Sequence, residues 1–174
     1  MKNIFYLVLL AVVLTSCQQQ KIGFIDNGTV INGYQEKIDI EAAFQLKDDA
    51  FKKRADSIGQ AFQTEAMESQ KKAQDLARTS PQKAQEIMGG LQQKQQMLQQ
   101  QMQIEQQAIT KDFQNQIDSV IVKVKAFAHD YGKDNGYTFI LGTSDAAASV
   151  LYGDEKQDLT QTVLEALNAN YTNE

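Results

Sequence analysis

The chain alternates between short apolar runs and long stretches in which apolar residues recur at helical spacing. It opens on a block of eleven apolar residues, Ile4 to Leu14. After Gln18-Gln19-Gln20, the segment Lys21–Asp26 predicts a short strand, with Ile22 and Phe24 on one face and Ile25 on the other. Asn27-Gly28 ends it, and Asn27 is placed to cap a short helical turn running to Tyr34. From Glu36 to Thr79 there is no Pro and only Gly59, and apolar residues fall at Phe44, Phe51, Ala55, Ile58, Phe62, Ala66, Ala73 and Leu76. These steps of three, four and seven make a heptad-like seam on one long helix. Thr79-Ser80-Pro81 breaks the pattern, with Ser80 as N-cap and Pro81 in the first turn of a second helix. That helix extends to about Asp134 with a seam of Ile87, Leu91, Leu98, Met102, Ile109, Phe113, Ile117, Val120, Val124, Phe127 and Tyr131. Asn135-Gly136 then reads as a left-handed C-cap. Tyr137–Gly142 and Ser149–Gly153 predict two further strands around a small-residue loop. A last helix is expected over Gln161–Asn168, with Thr160 as N-cap and Leu159 and Leu164 as a hydrophobic staple.

Two helices of roughly 40–50 residues joined by so short a turn must run antiparallel, each about 60–70 Å long. The expected fold is therefore α+β: a small β-body from residues 21–35 and 135–174, with a long antiparallel helical hairpin, 36–134, inserted after the first strand. The hairpin tip falls near 79–81. A body of three strands and one short helix buries too little surface to be comfortably stable alone. Its strands are apolar on both faces, so association of several copies is expected, with Ile22, Phe24, Phe139, Leu141, Val150 and Tyr152 buried partly between subunits.

Composition sharpens this picture. The 174 residues include one Cys, one His, one Pro and no Trp, so an intramolecular disulfide is excluded and a zinc site of the usual ligand count is not expected. Ten of the sixteen residues Gln92–Gln107 are Gln. The net charge of −5 argues against generic nucleic-acid binding. The N-terminal block is too short to span a membrane, which takes roughly 20 residues, and with Lys2 before it reads as a signal peptide over residues 1–16. It ends in Leu14-Thr15-Ser16-Cys17, which resembles the bacterial lipobox, where the Cys is diacylated and then exposed by cleavage. An ordinary signal peptide with an incidental Cys is the alternative. On the lipobox reading Cys17 is the lipid attachment site and residues 17–20 are a lipidated tether. No Asp follows the Cys and no acidic run follows it, which favours the periplasmic side of the outer membrane of a Gram-negative bacterium.

The order of these segments resembles the OmpH/Skp family of periplasmic chaperones. Lys21–Asp26 followed by Val30–Tyr34 looks like the family's opening. Asn135–Leu141, Val150–Tyr152, Asp158-Leu159-Thr160 and Val163–Asn168 look like its close, and the resemblance spans the whole mature chain. It implies a homotrimer whose small sheets form a central β-body and whose hairpins enclose a cavity for unfolded outer-membrane proteins, without ATP. Well-studied members are soluble and often basic, whereas this chain has a lipid-anchor signature and is acidic. Residues 69–94 nonetheless carry Lys71, Lys72, Arg78, Lys83 and Lys94 against Asp75 and Glu86, a locally positive tip suited to acidic clients or lipid headgroups.

No catalytic constellation is present: no phosphate-binding glycine loop, no metal-ligand spacing, and His129 reads as a half-buried polar residue near the hairpin base. No enzymatic activity and no cofactor are expected. Gly89-Gly90 is either a flexible point in the arm or a tolerated weak spot. Met67, Met88 and Met97 near the tip are unbranched and polarizable, which suits an adaptable client-facing lining together with Lys71, Lys72, Arg78 and Lys83. Ordinary coiled-coil packing is the competing reading, and Met102 on the seam follows it. Asp56-Ser57-Ile58 and Asp118-Ser119-Val120 look like an O-glycosylation sequon of some Gram-negative bacteria. Two functions compete: an ATP-independent holdase for unfolded outer-membrane β-barrel proteins, and a structural coiled-coil lipoprotein acting as spacer or partner-binding scaffold. The first needs accessible apolar groups on the arms, whereas the second needs only a satisfied seam.

Overall fold

The computed structural model describes residues 20–144 and 149–172. The signal peptide, Cys17 and most of the tether lie outside the described residues, as does part of the loop before Ser149. Strand β1, Ile22–Asp26, leads into helix α1, Asn27–Gly33, and then into the long helices α2, Gln35–Leu76, and α3, Pro81–Asp134. Strand β2, Phe139–Thr143, a 3₁₀ turn, Glu155–Gln157, and helix α4, Thr160–Tyr171, complete the order. The chain divides into two compact units, one formed by the residues up to Glu36 together with those from Val120 onward, the other by Lys37–Ser119.

In the first unit β1 and β2 pair in parallel, Ile22 opposite Phe139 through Asp26 opposite Thr143. A parallel pair requires a crossover connection, and here the helices supply it. The core is small: Val30, Val120 and Val163 are fully enclosed, with Ile25, Tyr34, Val124, Leu159 and Leu167 around them. Asn168 fastens α4 to the joint between α1 and α2, its amide donating to the Gly33 carbonyl at 3.1 Å and its oxygen accepting from the Gln35 N–H at 2.8 Å. The Tyr34 ring meets Tyr171 edge-on, centroids 5.7 Å apart.

Three local expectations are corrected here. Asp26, not Asn27, caps α1, accepting from the Thr29 N–H at 2.6 Å; Asn27 is the first helical residue and its amide packs against Gly142. Thr160 is the first residue of α4 rather than its cap, because its hydroxyl is committed elsewhere: it accepts from the Asp26 N–H at 2.9 Å and donates to the Asp158 carboxylate at 2.5 Å. The Asp158 carboxylate then accepts the Thr160 N–H at 2.8 Å. Leu159 consequently occupies the cap position, and it packs over Gly23 while Leu164 packs over Gly33, so the expected staple does not form at that register.

The third correction is larger. Ser149–Gly153 is not a strand. The edge of β1 away from β2 is occupied by Asp158–Thr160: Phe24 bridges Asp158, and the Leu159 N–H donates to the Phe24 carbonyl at 2.8 Å. With that edge taken, Val150-Leu151-Tyr152 has no ladder to join within the chain, and only Gly153 packs, against the Phe24 ring.

The second unit is an antiparallel helical pair. Phe44 stacks on Phe113 with centroids 4.3 Å apart, and Phe51 and Ala73 are buried. Every residue of the α2 seam in this unit is buried or half-buried, as are the α3 seam residues from Ile87 to Ile117. Cross-helix ion pairs run down one edge: Lys47 to Asp112 at 3.0 Å, Arg54 to Glu105, and Lys94 to Glu65. Each step along α2 is matched by one step back along α3, so the pairs record a single register. The Lys47 ammonium bonded to Asp112 holds its carboxyl below the usual carboxylate range. The small stabilisation this gives is present above that range and disappears as pH falls through the depressed value. Exposed pairs of this kind fix register more than they add stability. At the turn the Ser80 N–H donates to the Leu76 carbonyl at 2.7 Å, and Pro81 opens α3, where its missing N–H costs nothing. α3 runs unbroken through Gly89-Gly90.

α3 ends as expected. The Tyr137 N–H donates to the Gly132 carbonyl at 2.9 Å and the Gly136 N–H to Lys133 at 3.3 Å, the bond pair of a Schellman cap. Gly136 has φ of 69°, and a Cβ there would meet no atom within 4 Å. Gly136→Ala should therefore cost about 1–2 kcal/mol through backbone strain alone, and Gly136→Asn less. Urea denaturation of the two variants checks this, and an equal cost for both would contradict it.

Candidate functional site

Two surfaces stand out, one in each unit. The first is the outer face of the β1–β2 pair. Residues alternate across the sheet, so Gly23 and Ile25 face inward and are buried, while Ile22 and Phe24 share the opposite face with Phe139 and Leu141 across the ladder. Phe139 is 55% exposed, and Ile22 and Leu141 are also open. Phe24 and Val150 are half-buried, whereas Tyr152 stands clear at 88% exposed. Within a single chain these six residues are thus an uncovered apolar face and not a core. Leu151 is exposed beside them at 92%, a residue the sequence reading did not single out.

The second surface lies at the hairpin tip. Gln70, Ala73, Gln74 and Ala77 of α2 face Ala84, Gln85 and Met88 of α3 around a cleft of about 470 Å³. The cleft exists because the facing side chains are Ala where the rest of the seam has Leu, Ile or Phe. Met88 is exposed at its edge, and Met67 and Met97 are exposed on the flanking turns. A second, shallower groove of about 360 Å³ is lined by Met97, Gln100, Gln101, Ile104 and Glu105. Ile104 was missed in the sequence because it lies off the seam; its signal is the seven-residue step from Met97, a minor stripe parallel to the main one. Lys71, Lys72, Arg78 and Lys83 are all exposed, and none has an ion-pair partner among the described residues. Lys94 differs, being tied to Glu65. The tip therefore offers small apolar clefts, adaptable thioethers, amide side chains and free positive charge together.

His129 is exposed rather than half-buried, its Nδ1 2.9 Å from the Asp130 carboxylate. Ser57 and Ser119 are exposed, next to the seam residues Ile58 and Val120. Among the described residues no three His, Cys, Asp or Glu side chains gather so as to hold a metal ion, and no helix is long and apolar enough to cross a membrane.

Residues 21–167 match the model of the family described as outer membrane protein (OmpH-like). A crystal structure of an OmpH-like candidate outer membrane chaperone from Caulobacter crescentus has a similar fold, with a TM-score of 0.70 at 15% sequence identity. The alignment covers 87% of this chain and 85% of that one. No curated protein is similar enough to the chain to match it.

Proposed function

The chain belongs to the OmpH-like family of outer membrane proteins, and from that premise we propose that it is an ATP-independent holdase that keeps unfolded outer-membrane β-barrel proteins soluble between the helical arms of a homotrimer. The observation that carries this reading is the exposure of Met67, Met88, Met97 and Ile104 around open clefts on a hairpin whose principal seam is otherwise closed. A spacer or scaffold coiled coil has no use for an accessible apolar lining, and such groups on a solvated helix are a liability unless something covers them. Each contact is weak, and many of them acting on one extended client would hold it by multivalency. The free lysines and arginine of the tip add attraction for acidic clients without fixing a geometry.

The membrane side of the proposal rests on Cys17. Two or more acyl chains, each contributing about 0.8 kcal/mol per buried CH₂, would hold the protein to the periplasmic face of the outer membrane. Cys17→Ala should abolish palmitate labelling and release the protein from membranes; unchanged labelling would remove the lipoprotein assignment. The holdase is tested by mixing the purified protein with a urea-unfolded outer-membrane β-barrel and diluting out the urea. Light scattering should stay low at one trimer per client with no nucleotide present. Scattering equal to that of the client alone would leave the spacer reading in possession.

A further inference from the structure

A groove of about 600 Å³ runs beneath β2, between that strand and the last turns of α3. Ile25, Val124 and Ile140 line it, and small residues on α3, Ala128 and Gly132, keep it open. Its helical wall presents Lys125, His129 and Lys133, four residues apart and hence along one side of α3. No carboxylate lines the groove, and neither Lys125 nor Lys133 has an ion-pair partner among the described residues. In a chain of net charge −5, this is an apolar slot with an uncompensated cationic wall.

A matching shape occurs once more on the same unit. Leu151 and Tyr152 are the most exposed large hydrophobic residues among those described, at 92% and 88%. Two carboxylates, Asp154 and Glu155, follow them directly, both exposed. Gly153 anchors this segment on the Phe24 ring, on the outer face of β1 and toward the edge held by Asp158–Thr160. The groove is lined by Ile25, on the inner face, and lies at the β2 edge. Segment and groove thus face away from each other within one chain, and only another molecule can bring them together.

We propose that the Leu151–Glu155 segment of one copy docks in the β2 groove of the next, Leu151 and Tyr152 against its apolar floor and Asp154 and Glu155 against Lys125 and Lys133. The contact is heterologous, two different patches in a head-to-tail arrangement, and such a contact terminates only when the copies close into a ring. It rests on the reading that the copies assemble, and goes beyond it by naming which surfaces meet and why Ser149–Gly153 is left without a partner in its own chain.

The test uses the full chain, extracted in mild detergent, with the oligomer mass followed by sedimentation equilibrium across concentration. Lys125→Glu with Lys133→Glu should raise the dissociation concentration about tenfold or more, and Asp154→Lys with Glu155→Lys should do the same, since like charges would face each other across the contact. All four side chains are exposed, so far-UV circular dichroism should be unchanged. Combining the two pairs restores opposite charges and should return the dissociation concentration to within about threefold of the parent. Leu151→Ala with Tyr152→Ala tests the apolar half and should weaken assembly without any dependence on salt. The inference is overturned if the parent is oligomeric and the charge-reversed proteins assemble as the parent does, or if the combined variant shows no restoration. It is equally overturned if the groove substitutions lower client binding at unchanged oligomer mass, which would make the client the occupant. A monomeric parent would instead overturn the assembly on which it rests.

Discussion

Removing the distal hairpin, Glu65 to Gln95, and closing the gap with a short turn should abolish most of the client-holding activity while leaving the first unit folded and assembled. The cut is dictated by the register. Glu65 pairs with Lys94, so Thr64 and Gln96 stand nearly opposite each other and a tight connection can join them without shifting either helix. What remains keeps the Phe44–Phe113 stack, the buried Phe51 and the ion pairs Lys47–Asp112 and Arg54–Glu105. What is lost is the tip cleft, Met67, Met88 and four unpaired cations. At 1.5 Å per residue the twelve residues Glu65–Leu76 of α2 amount to about 18 Å of arm. Because retention by many weak contacts falls steeply as contacts are removed, the concentration needed to suppress aggregation should rise roughly tenfold or more. Thermal unfolding should remain cooperative, and sedimentation should give the parent's number of copies. A short-armed protein that holds an unfolded β-barrel client as well as the full chain does would refute the cavity mechanism and favour the spacer.

A graded companion follows from the same geometry. Replacing Met67, Met88 and Met97 by Gln should leave the main seam intact, since all three are exposed. Client retention should fall part-way, and it should fall further when Lys71, Lys72, Arg78 and Lys83 are also neutralised. Measuring the aggregation-suppressing concentration for both variants separates the apolar contribution from the charged one. Equal activity in all three proteins would move client binding away from the tip.

The helical part of this fold was legible because its signal is periodic and long. Seam residues spaced by three, four and seven over forty and more positions have one geometric reading, and Pro81 and Gly136 mark the ends through fixed backbone chemistry. The body was less legible, and the reason is specific. Val150-Leu151-Tyr152 has the composition of a strand, but a strand is defined by its partner, and composition does not reveal that Asp158–Thr160 already occupies the free edge of β1. The caps of α1 and α4 were misplaced by one residue for a related reason. Asp26, Asp158 and Thr160 form one connected set of bonds across distant parts of the chain, so which oxygen caps which helix depends on a tertiary contact. The exposed stripe of Met97 and Ile104 was half visible, since Met97 drew notice by its chemistry and Ile104 was passed over as an ordinary apolar residue. The cationic groove beneath β2 had no local signature: Ile25, Lys125, Lys133 and Ile140 are brought together only by the parallel pairing of β1 with β2.

Phe139→Asp should convert the assembly to folded monomers. Phe139 lies opposite Ile22 on the uncovered face, more than half exposed in the single chain, so a carboxylate there is hydrated in the monomer and breaks nothing within it. In the assembly the same carboxylate would be buried among Ile22, Phe24 and Leu141 and their counterparts, without a partner. Burial of each large apolar side chain contributes roughly 1.5–3 kcal/mol, and every copy in the ring loses that contribution and takes on the desolvation cost of a charge. With those losses repeated at each interface, the dissociation concentration should move beyond the micromolar range. Phe139→Leu, which keeps an apolar side chain at the position, should assemble nearly as the parent does. The expected signature is a monomer mass by sedimentation with unchanged far-UV circular dichroism, since the helices keep their seam and Val30, Val120 and Val163 keep their enclosure. Client holding should fail in the same variant although its arms are untouched, because a cavity needs walls from more than one copy. Two results would overturn this: an oligomer that survives Phe139→Asp, which would place assembly on another surface, or a parent protein that is itself a folded monomer at micromolar concentration.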